Sequence, residues 1–290
     1  MLHATTSVPE RRARLRSNLA SGRLQRLPGA INPLTATLIQ QLGFDGVYVS
    51  GAVLANDLAL PDVALTTQTE VAHRAHQIAR VTDLPTVVDI DTGFGGPLDA
   101  ARTVQILEDL GLAGCHIEDQ AAPKRCGHLD GKSLVDIDSM QERVRAVVAG
   151  RRDPAFLLIA RTDARAVSGI DDAIVRARAY VAAGADAIFP EALADIDEFR
   201  RFRAALDVPL MANMTEFGKS PLLDVATLEN LGYNLVIYPV TVQRLAMGAI
   251  EHGLRTLLAE GSQRSLVDAM QTRARLYELL GYQEYDAFRP

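Results

Sequence analysis

Short apolar segments rich in Val, Ile and Leu recur along this chain, and longer amphipathic segments separate them. This alternation predicts repeated strand–helix units and a parallel sheet, because parallel strands are buried on both faces and need a crossover between them. The predicted strands are residues 29–32, 46–50, 86–91, 114–119, 156–162, 187–191, 209–213 and 235–238. The clearest predicted helices are 69–80, 97–110, 139–149, 171–183 and 196–205. Eight such units predict an α/β fold of the (β/α)8 TIM-barrel type.

An open, doubly wound sheet is the alternative architecture, but no Gly-x-Gly-x-x-Gly turn follows the first predicted strand. Two more predicted helices, 242–259 and 265–280, follow the last strand. The second carries an apolar stripe that predicts packing on a partner chain. We therefore predict one barrel domain over residues 1–290, in which residues 242–290 form a C-terminal helical extension that takes part in oligomerisation.

The net charge of the chain is −6 and its pI is about 5.6. Nucleic acids and anionic membranes favour clustered positive charge, so neither is predicted as a partner. No segment approaches the roughly 18 to 20 apolar residues that span a bilayer, and residues 1–20 lack the apolar core of a signal peptide. Two cysteines, Cys115 and Cys126, cannot build a disulfide framework. Together these features predict a cytoplasmic globular protein.

Polar residues stand at the predicted carboxyl ends of the strands, where the active sites of such barrels form. They are Ser50, Asp89, Asp91, Glu118, Arg161, Asp163, Glu191, Asn213 and Thr215. Because strand side chains alternate, Asp89 and Asp91 share a face. Two carboxylates so placed favour Mg²⁺ or Mn²⁺, and Asp62 and Glu118 are expected to join through water. Solvated loop carboxylates are the alternative, but the apolar run before this pair and the glycine-rich turn after it favour a metal site.

Cys126 follows Lys124 and Arg125 and precedes Gly127 and His128. Nearby cations stabilise a thiolate, so the sequence predicts that the pKa of this thiol lies below its reference value of about 8.5. A small buried structural cysteine is the alternative reading of any cytosolic cysteine. That reading suits Cys115, which lies in an apolar strand with its side chain predicted to face the helices.

Three further residues have two readings each. Arg161 is predicted to bind a carboxylate in bidentate fashion or to form an ion pair with Asp163 or Glu191. His116 is either a hydrogen-bonded core histidine or a site residue. Tyr48 is predicted to face the barrel interior, where it either acts in the site or fills the core.

The run Lys124-Arg125-Cys126-Gly127-His128 is the most specific of several motifs in the chain. The others are residues 48–51, 60–62, 89–95, 116–120, 160–164, 189–192, 212–218 and 270–273. On these residues the chain resembles the isocitrate lyase and phosphoenolpyruvate mutase superfamily, and within it the 2-methylisocitrate lyases, over nearly its whole length. Phosphonate-handling relatives usually lack the thiol in this loop, and isocitrate lyases carry long insertions.

The resemblance implies cleavage of 2-methylisocitrate to pyruvate and succinate in the methylcitrate cycle of propionate catabolism. It implies Mg²⁺ held by Asp89 and Asp91, with Asp62 and Glu118 in the outer shell, and a homotetramer of barrels that exchange a late helix. The implied substrate contacts are Ser50, Gly51, Ala52, Cys126, Gly127, Arg161, Glu191, Asn213, Met214, Thr215, Arg244 and Arg273. Relatives often have Gly in place of Ala52, so 2,3-dimethylmalate and isocitrate stay open as substrates. A barrel that binds carboxylates without catalysing a reaction is the alternative outside the enzymes.

The expected reaction is a retro-Claisen cleavage, in which negative charge develops on two carboxylate-bearing fragments. The predicted catalytic side chains are Tyr48, Lys124, Cys126 and His128. Tyr48 is expected to act as a phenolate base, and Cys126 to protonate the succinate carbanion. The glycine-containing loop 121–131 is expected to close over bound substrate.

Overall fold

The computed structural model describes residues 4–289, in which strands and helices alternate as the sequence predicts. The strands are β1 Gln25–Pro28, β2 Val47–Val49, β3 Thr86–Asp89, β4 Gly114–Glu118, β5 Leu157–Thr162, β6 Ala187–Pro190, β7 Met211–Asn213 and β8 Leu235–Tyr238. The helices are α1 Val8–Ala20, α2 Pro33–Gln41, α3 Gly51–Asp57, α4 Gln68–Ala79, α5 Pro97–Asp109, α6 Ile137–Gly150, α7 Arg165–Ser168, α8 Ile170–Ala182, α9 Ile196–Ala204, α10 Val225–Asn230, α11 Thr241–Glu260, α12 Arg273–Leu280 and α13 Tyr282–Asp286. A 3-10 helix, Arg264–Ala269, precedes α12.

All the paired strands are parallel. One run has the order β2, β3, β4, β5, β6, and the other has the order β7, β8, β1. Parallel bridges between Gly29 and Tyr48 and between Ile188 and Leu210 join the two runs into a closed ring. The predicted barrel is therefore confirmed, and the carboxyl ends of all eight strands meet at one rim.

The buried apolar side chains form two clusters, one inside the barrel and one between the strands and the surrounding helices. Val87, Leu157 and Ile159 belong to the cluster that fills the barrel, whereas Val88 and Leu158 pack among the surrounding helices. This is the period-two alternation of a strand whose two faces are both covered. Cys115 lies in the outer cluster and is fully buried, which confirms that its side chain faces the helices.

The amino-terminal end of the barrel is covered by α1, whose Leu15 and Leu19 join the inner cluster. Arginines of the same helix bind main-chain carbonyls below the strands: Arg12 Nε donates to Leu112 O (2.9 Å), and Arg16 Nη2 donates to Phe156 O (2.8 Å). Because this end is filled and hydrogen-bonded, the opposite rim alone is left open to a ligand.

The first strand was wrongly predicted. It is Gln25–Pro28 rather than 29–32, because the polar residues at its start hide it from an apolar search. Gly29 follows it and passes so close to β8 that a Cβ there would lie 2.8 Å from the carbonyl carbon of Pro239. Asn32, placed in the predicted strand, instead caps α2, its side chain accepting a hydrogen bond from Thr35 N (2.9 Å).

The C-terminal extension agrees with the prediction in its first helix and differs in its second. The predicted helix 242–259 corresponds to α11, which has no buried residue. The predicted helix 265–280 is interrupted, since Met270 is extended and Thr272 caps a new helix by accepting from Arg275 N (3.1 Å). Across residues 4–289, none of the helices has both the length and the apolar character required to cross a membrane.

Candidate active site

One pocket at the carboxyl rim of the barrel collects most of the predicted site residues. Its lining includes Tyr48, Ser50, Ala52, Asp62, Asp89, Lys124, Cys126, Gly127, His128, Arg161, Glu191, Asn213, Thr215 and Arg244. They come from the carboxyl ends of strands β2 to β7 and the segments that follow them, together with Arg244 of α11, which follows β8. The closed barrel brings these segments together although they are distant in sequence.

Two predicted substrate contacts lie elsewhere. The Met214 side chain is buried in the outer cluster, where its sulfur accepts a hydrogen bond from Leu223 N (3.1 Å). It has the opposite parity to Asn213 and Thr215, so strand alternation turns it away from the pocket. Arg273 begins α12 on the exterior and is exposed. Within residues 4–289 of one chain, neither side chain reaches the pocket.

Asp89 and Asp91 are buried at the end of β3, and an acidic and basic cluster surrounds them. Asp89 Oδ1 accepts from the backbone N–H of Asp91 (2.9 Å). Lys124 reaches over from the next loop, binding Asp62 and lying 2.8 Å from Asp91 Oδ1. Gly51 is packed beneath, because a Cβ there would fall 3.1 Å from Asp89 Oδ2. The ammonium of Lys124 thus bridges two carboxylates that the sequence assigned to a metal.

The carboxylates of this cluster have perturbed acidity. Burial, followed by the charge of neighbouring Asp89, raises the pKa of Asp91 to about 6, although Lys124 opposes this. Burial likewise raises the pKa of Glu118 well above its ordinary value, against the stabilising charge of Arg161. The same arrangement raises the pKa of Lys124, since its burial is outweighed by Asp91 and Asp89.

These residues fit a divalent cation by the chemistry of their buried carboxylate oxygens. Both carboxylate oxygens of Glu118 are buried without a hydrogen bond, and a guanidinium nitrogen of Arg161 lies 3.3 Å from Oε2. Asp91 Oδ1 is buried as well, and the ammonium of Lys124 lies 2.8 Å from it. Among residues 4–289, no three acidic, histidine or cysteine groups already converge on a metal position. The ammonium of Lys124 lies between the carboxylates of Asp62 and Asp91.

Arg161 is buried at the end of β5 and is surrounded by carboxylates. Its Nε and Nη2 donate to Asp163 (2.9 and 3.1 Å), and its Nη1 lies 3.4 Å from Glu191 Oε2. Its guanidinium also lies over the ring of Phe189, 5.2 Å from the ring centroid. The ion-pair reading of Arg161 is therefore confirmed, and these partners hold a positive charge at the wall of the pocket.

His128 is held between two groups that fix its orientation. Its Nδ1 accepts from the backbone N–H of Lys219 (2.9 Å), so its Nε2 carries the proton and faces Glu191 Oε1 (2.7 Å). Glu191 also receives Asn213 Nδ2 on both oxygens (3.3 Å). Despite burial, Arg161 and His128 hold the pKa of Glu191 far below its ordinary value, so this carboxylate stays charged.

The predicted low pKa of Cys126 is wrong. Burial raises the pKa of its thiol, and this outweighs the opposing hydrogen bond from the backbone N–H of His128. The expected cations are engaged elsewhere, because Lys124 binds Asp62 and Asp91 and His128 binds Glu191. Arg125 is exposed. The sulfhydryl therefore lines the pocket in its protonated form, which is the form a proton donor needs.

Tyr48 and His116 form a buried pair on the pocket floor. The Tyr48 hydroxyl and His116 Nε2 are 2.7 Å apart, and the two rings are stacked with centroids 5.8 Å apart. Burial, followed by the charge of Asp89, raises the pKa of Tyr48 well above its ordinary value. A free phenolate, as the sequence suggested, is disfavoured here. Burial also lowers the pKa of His116, so its ring is neutral.

Sequence reasoning missed several residues of the site. Lys132 and Asp119 are buried charged groups behind the pocket, and Asn56 and Phe189 line it. Asp119 accepts hydrogen bonds from Thr162 Oγ1 (2.7 Å) and from Asp163 N (2.9 Å). The rarity of lysine is the one signal that could have directed attention to Lys132, since the chain has only three lysines.

The chain is similar to a known protein family, to named proteins and to solved structures. The phosphoenolpyruvate phosphomutase family matches residues 15–258. The protein named Probable 2-methylisocitrate lyase 2 of Corynebacterium glutamicum is 62% identical over 288 residues, 99% of this chain and 94% of that protein. The 2-methylisocitrate lyase of Bacillus subtilis is 43% identical over 99% of this chain and 95% of its own. A crystal structure of phosphonopyruvate hydrolase with oxalate and Mg²⁺ superimposes with a TM-score of 0.87, at 32% identity over 96% of this chain and 97% of that one.

Proposed function

The chain belongs to the phosphoenolpyruvate phosphomutase family, and within it to the 2-methylisocitrate lyases, and on that premise we propose how its pocket cleaves a carbon–carbon bond. The protein is a lyase that converts 2-methylisocitrate to pyruvate and succinate. One observation carries the mechanism: the protonated sulfhydryl of Cys126 lines the same pocket as the buried carboxylate Asp89 and the cation Lys124.

The bond between C2 and C3 of the substrate breaks. The C2 hydroxyl loses its proton and becomes the keto oxygen of pyruvate, while the bonding electrons move to C3 and into the neighbouring carboxylate. Tyr48 takes up the hydroxyl proton only as its own proton moves to His116, because its raised pKa excludes a free phenolate. Cys126 then donates its proton to C3, which completes succinate.

Electrostatics of the pocket stabilise the developing charge. Arg161, His128, Asn213 and Arg244 line the pocket, and the first three are proposed to stabilise the succinate half. Since these donors are already fixed by Asp163 and Glu191, little reorganisation is needed as negative charge forms. Ser50, Gly51, Ala52, Gly127, Glu191 and Thr215 are proposed as further substrate contacts, and Arg273 is proposed as a contact that one chain alone does not provide.

Asp89 and Asp91 are proposed to hold Mg²⁺, with Mn²⁺ as a substitute and with Asp62 and Glu118 in the outer shell. When bound, the ion supplies Lewis-acid polarisation of the oxygens of the 2-hydroxy acid. The buried oxygens of Glu118, which have no hydrogen bond, and the adjacent buried carboxylates of Asp89 and Asp91 support this assignment. As the site fills, Lys124 is proposed to leave Asp62 and Asp91 to the ion and to bind a carboxylate of the substrate instead.

The helix α11 supports the proposal of a homotetramer that exchanges a late helix. It has no buried residue in one chain and exposes Leu254 (61% exposed) and Leu258 (89% exposed). Such an apolar face is unfavourable in water unless another chain covers it. We propose a cytoplasmic location, in keeping with two free cysteines and a metabolic substrate.

A coupled assay for pyruvate tests the function. The protein with Mg²⁺ is supplied in turn with 2-methylisocitrate, 2,3-dimethylmalate and isocitrate, of which isocitrate releases glyoxylate and is followed separately. The expected result is fastest cleavage of 2-methylisocitrate, with no turnover by an Asp89→Asn variant. Faster cleavage of either other acid would reassign the substrate, and absence of cleavage of all three would favour a noncatalytic carboxylate-binding barrel.

A further inference from the structure

Lys132 is a buried cation at the end of the loop that covers the pocket. We call residues 121–134, which connect β4 to the start of α6, the lid loop. Its two ends are tied together by the antiparallel bridge between Gln120 and Leu134 and by a hydrogen bond from Ala121 N to Ser133 O (2.8 Å). The side chain of Lys132 is 1% exposed, so its ammonium has left water to contact protein groups alone.

The ammonium of Lys132 joins the lid loop to the barrel. It donates one hydrogen bond to the main-chain carbonyl of Gly127, the residue after Cys126, and another to Asp163 Oδ1 (2.9 Å). The first partner belongs to the tip of the loop and the second to the rim after β5. The side chain of Lys132 therefore connects the tip of the lid loop to the rim of the barrel after β5.

Asp163 serves Lys132 and Arg161 at once. Its Oδ1 accepts from both Lys132 Nζ and Arg161 Nη2 (3.1 Å), and its Oδ2 accepts from Arg161 Nε (2.9 Å). The carboxylate is fully buried, and its own backbone N–H donates to Asp119 Oδ1 (2.9 Å). Because one fixed anion orders both cations, displacement of one changes the hydrogen bonding of the other.

Gly127 packs closely against Arg161 and Glu191. A Cβ at this position would lie 2.6 Å from Glu191 Cγ and 2.9 Å from Glu191 Cδ. The absence of a side chain therefore lets the tip of the loop approach the pocket wall this closely, and Cys126 is the adjacent residue of that tip.

We propose that Lys132 is a positioning residue that latches the lid loop to Asp163, so that the sulfhydryl of Cys126 is held over the pocket only while Arg161 is aligned. This inference rests on the proposed function for its catalytic consequence, but the latch itself exists without substrate. Lys132 touches no reacting atom; it acts through the Gly127 carbonyl and through Asp163. Loss of the ammonium leaves that carbonyl without its donor and frees the loop tip.

The test compares Lys132→Met, Lys132→Arg and, as a control, Arg200→Met. The side chain of Arg200 pairs with Asp197 on α9, outside the lid loop and the pocket, and such an exposed ion pair contributes little. Alkylation of Cys126 by iodoacetamide is measured on each free protein at one pH, because Cys115 is fully buried and does not compete. We expect Lys132→Met to raise the rate at least about tenfold, the factor expected when a hydrogen bond from a charged donor is lost. Lys132→Arg should restore part of the protection, and Arg200→Met should match the parent protein.

Turnover provides the second readout. With 2-methylisocitrate and Mg²⁺, Lys132→Met should lower kcat about a hundredfold, since misplacement of a catalytic group by about 1 Å costs that much, and should change KM far less. An alkylation rate equal to that of the parent overturns the latch. If Lys132→Met does not fold, Lys132→Gln decides, because its shorter neutral side chain cannot span from the Gly127 carbonyl to Asp163, and protection of Cys126 equal to that of the parent would then overturn the latch. If the parent protein cleaves none of the acids, the proposed function fails while the alkylation result still judges the latch.

Discussion

Lys124 Nζ lies 2.8 Å from Asp91 Oδ1 and also binds Asp62, so a lysine of the lid loop neutralises the carboxylates proposed to hold the metal. An ammonium and a divalent cation compete for the same oxygens. The loop position and the ionic occupancy of the pocket are thereby linked, and this linkage can be measured.

We predict that Lys124→Met binds Mg²⁺ more tightly than the parent protein while losing turnover. Removal of the competing ammonium should strengthen Mg²⁺ binding up to about tenfold near pH 8, because a nearby like charge disfavours a cation. The loss of a cation that is proposed to bind the substrate should lower kcat about a hundredfold or more. Isothermal titration with Mg²⁺ and the pyruvate assay measure the two effects, with Arg200→Met, an exposed cation on α9, as control. Weaker Mg²⁺ binding by the variant would show that Lys124 does not compete with the ion.

The raised pKa of Asp91 predicts that Mg²⁺ binding weakens in acid. Burial and neighbouring Asp89 raise this pKa to about 6 in the folded protein, so a proton must leave before the ion binds below that pH. The apparent affinity should fall by about tenfold per pH unit below about pH 6 and level off above it. Mg²⁺ titrations between about pH 5 and about pH 8 test this expectation. A constant affinity across that range would exclude Asp91 as an ionisable ligand.

The raised pKa of Asp91 also makes the free energy of unfolding depend on pH in a defined direction. In the unfolded chain Asp91 titrates near 3.8, so between that pH and about 6 the folded protein holds the proton more tightly. The contribution of this carboxyl to stability is therefore present below pH 3.8 and is lost as the pH rises to about 6. Urea unfolding of Asp91→Asn, which cannot ionise, should lack this component. An identical pH dependence of the free energy of unfolding in the variant and the parent would contradict the assignment.

Cys126→Ser should retain metal binding and lose turnover. A serine hydroxyl is a far weaker acid than a thiol, so we expect kcat to fall about a hundredfold or more while the affinity for Mg²⁺ changes little. Cys115→Ala is the matched control, because that cysteine lies in the outer apolar cluster and faces the helices. Near-normal turnover by Cys126→Ser would remove the proposed proton donor.

The thiol of Cys126 should react with alkylating reagents more slowly than a free cysteine at neutral pH. Burial raises its pKa, so the reactive thiolate is scarce and appears only as the pH rises. The rate of iodoacetamide modification against pH should have its midpoint above that of a free thiol. A midpoint below that of a free thiol would mean that the pKa of Cys126 is low, as the sequence alone suggested.

A charge placed on the exposed face of α11 should disrupt the oligomer. Leu254→Glu introduces a carboxylate where the tetramer proposal requires an apolar contact, and a buried unpaired charge is strongly unfavourable. Light scattering after size exclusion should show a smaller species than the parent. Val175→Glu, an exposed apolar position on α8, is the control and should leave the mass unchanged. A parent protein that is already monomeric would end the proposal.

The sequence by itself determined the barrel and the place of its site. Alternating apolar and polar positions put Asp89, Arg161 and Asn213 on inward faces at strand ends, and a period-two pattern is a local property that needs no tertiary contact. The same pattern assigned Cys115 to the helix layer. It failed at β1, where polar residues open the strand. At Met214 the alternation was right, and the assignment of this residue to the substrate by its motif was wrong.

Only the tertiary structure decided the charge states and the connections between distant segments. The sequence places Lys124, Arg125 and His128 beside Cys126, yet Asp62 and Asp91 engage Lys124, Glu191 engages His128, and burial keeps the thiol protonated. Lys132 and Asp163 are 31 positions apart and meet only because β4 and β5 are neighbours in the barrel. Acidity depends on solvent exclusion and on the three-dimensional distances between charges, and neither quantity is written in the order of residues along the chain.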